Sequence, residues 1–286
     1  MEEDFVKQLF TYINASADHH LASADNLKEF LGFIARMQSN ITVSNKILAY
    51  GYNPTATDIH TREEWESFGI TVLDENAVIY NLQHQPDSQY GYVERVMYDI
   101  SSTNAKPRTY EQFPNAGFLA ERLILSSPCP IQFCDGPIAG SRKAFLDTEK
   151  GIIEVTRGFK NEEQVCHGLL REFAHYYLRE REMNHGSKGK DKRGNRQTDI
   201  FYDRDKHGVE AQAVSYAICT RYGITPPVID VLSPPEGSSE DRRRVLEGLD
   251  YSIWSISQRI EECGRQLRKV SESDNHVRGQ PIQGRG

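Results

Sequence analysis

The 286-residue chain carries 34 Lys and Arg against 41 Asp and Glu, a net charge of −7, with 38% hydrophobic and 26% charged residues. That is the composition of a soluble globular protein large enough for one large or two ordinary domains. No run approaches the roughly 20 apolar residues of a membrane span, and the acidic start MEEDFVKQLF has the wrong charge for a secretory signal, so the expectation is a cytoplasmic protein with no membrane partner.

In chain order, hydrophobic periodicity predicts helices near 24–38 and 43–51 and a short one at 61–68, then strands at 70–73, 77–82 and 91–98. These make a small α+β unit over residues 1–100. Residues 1–98 hold six Lys and Arg against fourteen Asp and Glu, a poor electrostatic host for a phosphate backbone. Residues 101–122, rich in Pro, Asn and Ser at first, read as a linker that runs into a helix near 117–125. A second unit, 123–268, opens with IQFCD, KAFLD and GIIEV, three short strands, the last two joined across the turn Thr148-Glu149-Lys150-Gly151.

The strands feed a helix whose start is marked by Asn161 as N-cap, with Glu162 and Glu163 in the first turn. A Gly-rich basic stretch, 186–206, reads as a solvated loop; Lys188, Lys190, Lys192 and Arg193 are its candidates for nucleic-acid contact. Helices near 207–222 and 240–268 follow, and 269–286 reads as a disordered polar tail. Five cysteines, at 129, 134, 166, 219 and 263, fit reduced thiols better than a disulfide framework.

Residues 171–175, Arg-Glu-Phe-Ala-His, are the zinc-peptidase helix motif HExxH with arginine in place of the first histidine. In that motif two His at i and i+4 bind one zinc and the adjacent Glu is the general base. Here Glu172 remains as would-be base and His175 as would-be ligand. His167 cannot substitute, because it lies two turns, roughly 12 Å, from His175. Glu210, 35 residues beyond His175 at the start of an Ala-rich helix, is the candidate third ligand. Two ligands beside a cation make a poor zinc site, since a catalytic centre normally uses three protein ligands and a water. No cofactor is therefore expected, with zinc bound only if His185 or His207 completes the set. The guanidinium of Arg171 is expected instead to bridge Glu172 and Glu210.

The order of these motifs resembles that of the ArdC-type antirestriction proteins of plasmids and integrative elements. Over residues 43–81 the resemblance rests on Ser44-Asn45, Leu48, Tyr50, Asn53-Pro54, Ala56-Thr57, Trp65 and Gly69; it continues in MYDISST at 97–103, REFAH and VEAQAVSYAICTRYGI. It implies a single-stranded-DNA-binding N-terminal domain, a zincin-like metallopeptidase domain with a short β-ribbon, and a role in protecting mobile DNA. The chain departs from the pattern at Arg171 and at Leu73-Asp74-Glu75-Asn76, where the family carries a Lys/Gly-rich turn. The expectation is thus a mobile-element accessory protein with a degenerate, inactive peptidase domain and weak or altered DNA binding. The alternatives are an active zinc peptidase with a non-standard ligand, and a single-stranded nucleic-acid binder stacking bases on Tyr50, Tyr52, Trp65 and Tyr80.

Overall fold

The computed structural model describes residues 2–136, 138, 143–157, 161–186, 202–229 and 237–278. Val6, Leu9, Ile13 and Ala17, spaced to share one helical face, are buried and make α1 (Glu2–His20) the first amphipathic layer. Sequence reading took this segment only for its charge and passed over that period. The helices α2 (Ala24–Arg36) and α3 (Val43–Tyr52) start where expected, each with a hydroxyl at the N-cap: Ser23 accepts from the Asn26 amide at 3.1 Å and Thr42 from the Asn45 amide at 3.3 Å. A capping box between Thr61 and Glu64 starts the short α4 (Arg62–Ser67).

The first sheet is antiparallel, with β1 (Ile59–His60), β2 (Val78–His84) and β3 (Tyr92–Asp99) in the order β1-β3-β2. The strand expected at 70–73 is reduced to a single bridge between Val72 and Thr103. Gly69, at φ +74, turns the chain there, and the Asn104 side chain accepts the Thr71 amide. Two of the motif segments prove to be internal braces. The buried Asn45 side chain accepts the Leu82 amide at 2.8 Å and donates to the Leu82 carbonyl at 3.0 Å, tying α3 to β2. Asp99 accepts the amides of Thr57, Asp58 and Ser101 and so fixes the crossing of two segments, 57–58 and 99–101.

In the second half, α5 (Ala116–Leu125) precedes a sheet of β4 (Ile131–Cys134), β5 (Ala144–Asp147) and β6 (Ile152–Thr156), ordered β4-β6-β5. The β5–β6 pair is the expected antiparallel hairpin, with Gly151 at φ +66 in its turn. Three helices complete the fold: α6 (Glu162–Gly186), α7 (Gly208–Arg221) and α8 (Ser239–Arg278). The mixture of helices with two small sheets is the α+β class expected. Asn161 caps α6 as read, accepting the Gln164 amide at 2.9 Å. The expected tail at 269–286 begins instead as the last turns of α8, and 279–286 lie outside the described residues.

The expected boundary near residue 100 does not interrupt the packing. One buried apolar cluster runs from Val6 through α2, α3, α5, α6 and α7 to Ile260 of α8. Arg221 of α7 reaches across it and donates to the carbonyls of Ala35 and Ile34, both at 2.9 Å. Lys46 of α3 pairs with Asp250 of α8 at 2.6 Å. The expected linker is a packed strap: Phe113 is buried, its amide donates to the Tyr222 carbonyl at 3.0 Å, and the Tyr110 hydroxyl donates to the Met37 carbonyl at 2.8 Å. None of the described helices is long and apolar enough to cross a membrane.

Candidate functional site

Glu172 and His175 lie on the buried face of α6, at 2% and 0% exposure. The edge strand β5 runs alongside, and its Leu146 amide donates to Glu172 Oε2 at 2.7 Å. The guanidinium on this carboxylate belongs to Arg204: its Nη2 donates to Oε2 at 2.6 Å and also contacts Oε1. Arg204 is in turn sandwiched against the Phe145 ring, 4.9 Å from its centroid. The expectation that Arg171 would bridge Glu172 and Glu210 is corrected here. Arg171 has no hydrogen bond or ion pair with either among the described residues, and its Nη2 lies instead beside Gly208 at the start of α7.

The segment that enters α7 builds the rest of the cluster. Asp203 Oδ1 accepts the amides of Asp205 and Lys206 at 3.1 and 3.2 Å, an Asx turn that sets the direction of Tyr202 and Arg204. A hydrogen bond of 2.8 Å links the Tyr202 hydroxyl to His175 Nδ1. Burial, followed by the negative charges of Glu210 and Glu182, raises the Tyr202 phenol far above its ordinary range, so it stays protonated. Its ring stacks on His207 at 5.0 Å and an interplanar angle of 6°.

His207 bridges two carboxylates, with Nε2 2.8 Å from Glu182 and Nδ1 2.8 Å from Glu210. Burial opposes its charged form, but hydrogen bonds and charge from Glu182 and Glu210 outweigh burial and push its pKa up to about 9. Three carboxylates are thus held by two cations in two separate pairings, Glu172 by Arg204 and Glu182 with Glu210 by protonated His207, which leaves one net negative charge on the second group.

This arrangement does not fit a zinc ion. Both Glu172 oxygens are occupied, Glu210 is paired with His207, and both His207 nitrogens are committed. No group of three or more His, Cys, Asp or Glu among the described residues is placed to hold a metal. The His185 side chain lies outside what is described, as do Lys188, Lys190, Lys192 and Arg193. Of the aromatics considered for base stacking, Trp65 is buried with Nε1 donating to the Tyr98 carbonyl. Tyr50 packs against Phe30 and Phe33, Tyr80 against Phe5, and of the four Tyr52 alone is exposed.

Tyr202, Arg204 and Glu182 were missed from sequence because 202–206 sit in a stretch whose Gly and Lys content reads as solvated loop. The signal was local: an aromatic, an Asp with turn propensity and an Arg directly before a helix start.

No protein-family model and no curated protein matches the chain. Among solved structures, it is similar to the antirestriction ArdC protein from R388 plasmid. The metal-free form is 12% identical over 78% of this chain and 85% of that one, at a TM-score of 0.38. The Mn(II)-bound form is 10% identical over 79% and 83%, at 0.34. Both superpositions are loose, and the reading of the site rests on its own geometry.

Proposed function

We propose that this chain is a mobile-element accessory protein of the antirestriction type, with a metallopeptidase-like centre that is closed and does not hydrolyse peptides, so that it acts by binding. The observation that supports the second half is the Glu172–Arg204 pair. A general base must present a free lone pair to the water it activates. In Glu172 one oxygen takes the Leu146 amide and both take Arg204, so the carboxylate works as a packed anion. The antirestriction half rests on the order of sequence motifs, in which Asn45 and Asp99 recur as braces of the fold.

The test has two arms. Expression in a host with a resident restriction system should raise the recovery of incoming unmodified plasmid, and Glu172→Gln should leave that protection unchanged. Purified protein should hold far less than one zinc per chain and cleave no peptide with or without added zinc. Stoichiometric zinc, with hydrolysis abolished by Glu172→Gln, would establish a peptidase; no protection in any restriction background would remove the antirestriction role.

A further inference from the structure

Of the five cysteines, Cys166 and Cys219 are the two that are fully buried, each at 0% exposure. They come from different helices, Cys166 from the second turn of α6 and Cys219 from the last turn of α7. A hydrogen bond joins the two thiols. That bond first, and burial second, raise the Cys219 thiol well above the ordinary cysteine range, so it stays protonated. Arg171 lies beside Gly208 in the same interface, so the two helices run antiparallel. In that register Ala174 faces Ala211 two turns further on, and both are fully buried. Small side chains at the contact let the helix axes approach closely, as a bridge between Cα atoms no more than about 7 Å apart requires.

A pocket of about 510 Å³ opens at the same end of this helix pair. Glu162 and Glu163 line it one turn before Cys166, and Gly223 and Ile224 line it one turn after Cys219. The Ile224 amide donates to the Cys219 carbonyl at 2.9 Å, and the Glu163 charge reaches the Cys219 thiol. A small oxidant that enters the pocket therefore comes within about one helical turn, ~5 Å along the axis, of both cysteines.

We propose that Cys166 and Cys219 are a redox pair, which a peroxide converts to a disulfide that staples α6 to α7. The peroxide oxidises one thiol to a sulfenic acid and releases one water. The neighbouring sulfur then attacks that sulfur; its proton leaves with the displaced hydroxyl as a second water, and the S–S bond forms. The two cysteines give up two electrons, which the peroxide O–O bond takes as it breaks. A thiol reductant restores both thiols by exchange. Burial and the protonated state of Cys219 make the reaction slower than at a thiol in open solvent, so the staple answers sustained oxidation. It ties the helix of Glu172 and His175 to the helix of Glu210 and closes a loop of about 50 residues, which restricts the unfolded chain. The inference does not depend on the peptidase-like reading of the centre.

The folded full chain would be treated with hydrogen peroxide, its remaining thiols alkylated, and its digest mapped by mass spectrometry without reductant. The expected product is a peptide pair joined through Cys166 and Cys219 that has lost two hydrogens. The oxidised protein should melt about 5 °C or more above the same sample after dithiothreitol, which reopens the bridge and leaves other oxidised side chains as they are. Cys166→Ala and Cys219→Ala should each abolish that difference; the map of the parent carries the test if either variant fails to fold. Oxidation confined to Cys129, Cys134 and Cys263 would overturn the proposal. So would a bridge between other cysteines in place of this one, or a 166–219 bridge that leaves the midpoint unchanged.

Discussion

His20 and His207 carry opposite pH dependences, because burial acts on them with different company. His20 stacks on Phe30 at 4.2 Å, its Nε2 has no hydrogen-bond partner among the described residues, and burial with nearby His19 lowers its pKa to about 4. The unfolded chain then binds the proton more readily, so His20's contribution is present above about 6.5 and is lost as pH falls towards 4. His207, raised to about 9, contributes fully below about 6.5 and loses that contribution as pH rises through 9. Urea denaturation across pH 4–10 checks both: His20→Gln should flatten the acid limb and His207→Gln the alkaline one. Unchanged limbs would mean that other groups set them. At this scale the sequence singles out Glu172, His175 and the arginine at 171 as neighbours, since a helix motif fixes spacing within one element. It could not find Arg204, whose approach to Glu172 depends on how a loop returns.

The two faces of α8 show what an element adds. Sequence period placed this helix near 240–268, yet nothing in the period says which partners it meets. In the structure it clamps α3 through Lys46 and Asp250 and holds the end of α5 through Arg259, which donates to the carbonyls of Ser126 and Ser127, both at 2.7 Å. Lys46 is 3% exposed, so Asp250→Ala strands a buried ammonium, at a cost of about 3–5 kcal/mol. Replacing both, with Lys46→Met and Asp250→Leu, should recover most of that loss. Denaturant midpoints for the two variants measure it, and equal losses for the single and double changes would show that the charge pair is not the cause. The hairpin of β5 and β6 was legible because its turn is local; the parallel pairing of β4 with β6 was not, because register across a crossover has no nearby sequence signature.

Across the whole molecule, the continuous core has a thermodynamic consequence. Two independent domains would unfold in two steps, whereas a cluster shared by α2, α7 and α8 couples both halves. Trp65 lies in the first half and Trp254 in the second, so single-tryptophan variants should give coincident midpoints, matching far-UV circular dichroism. Separated midpoints would mean that the two halves unfold as separate units, with a boundary near residue 100. The α+β class was readable from helix and strand periods in turn, but domain separation was inferred from a Pro- and Ser-rich strap. Composition marks a segment as irregular and does not say whether it is buried.

In the function proposed above, a tethered guanidinium, Arg204, balances the would-be catalytic carboxylate Glu172 in place of a metal. A double-mutant cycle of Glu172→Gln and Arg204→Met, followed by denaturant unfolding with and without a chelator, tests it most directly. Arg204→Met alone should lose about 3–5 kcal/mol, the double variant should recover much of that, and the chelator should not affect the parent. Additive losses, or a parent that the chelator destabilises and zinc restores, would contradict it.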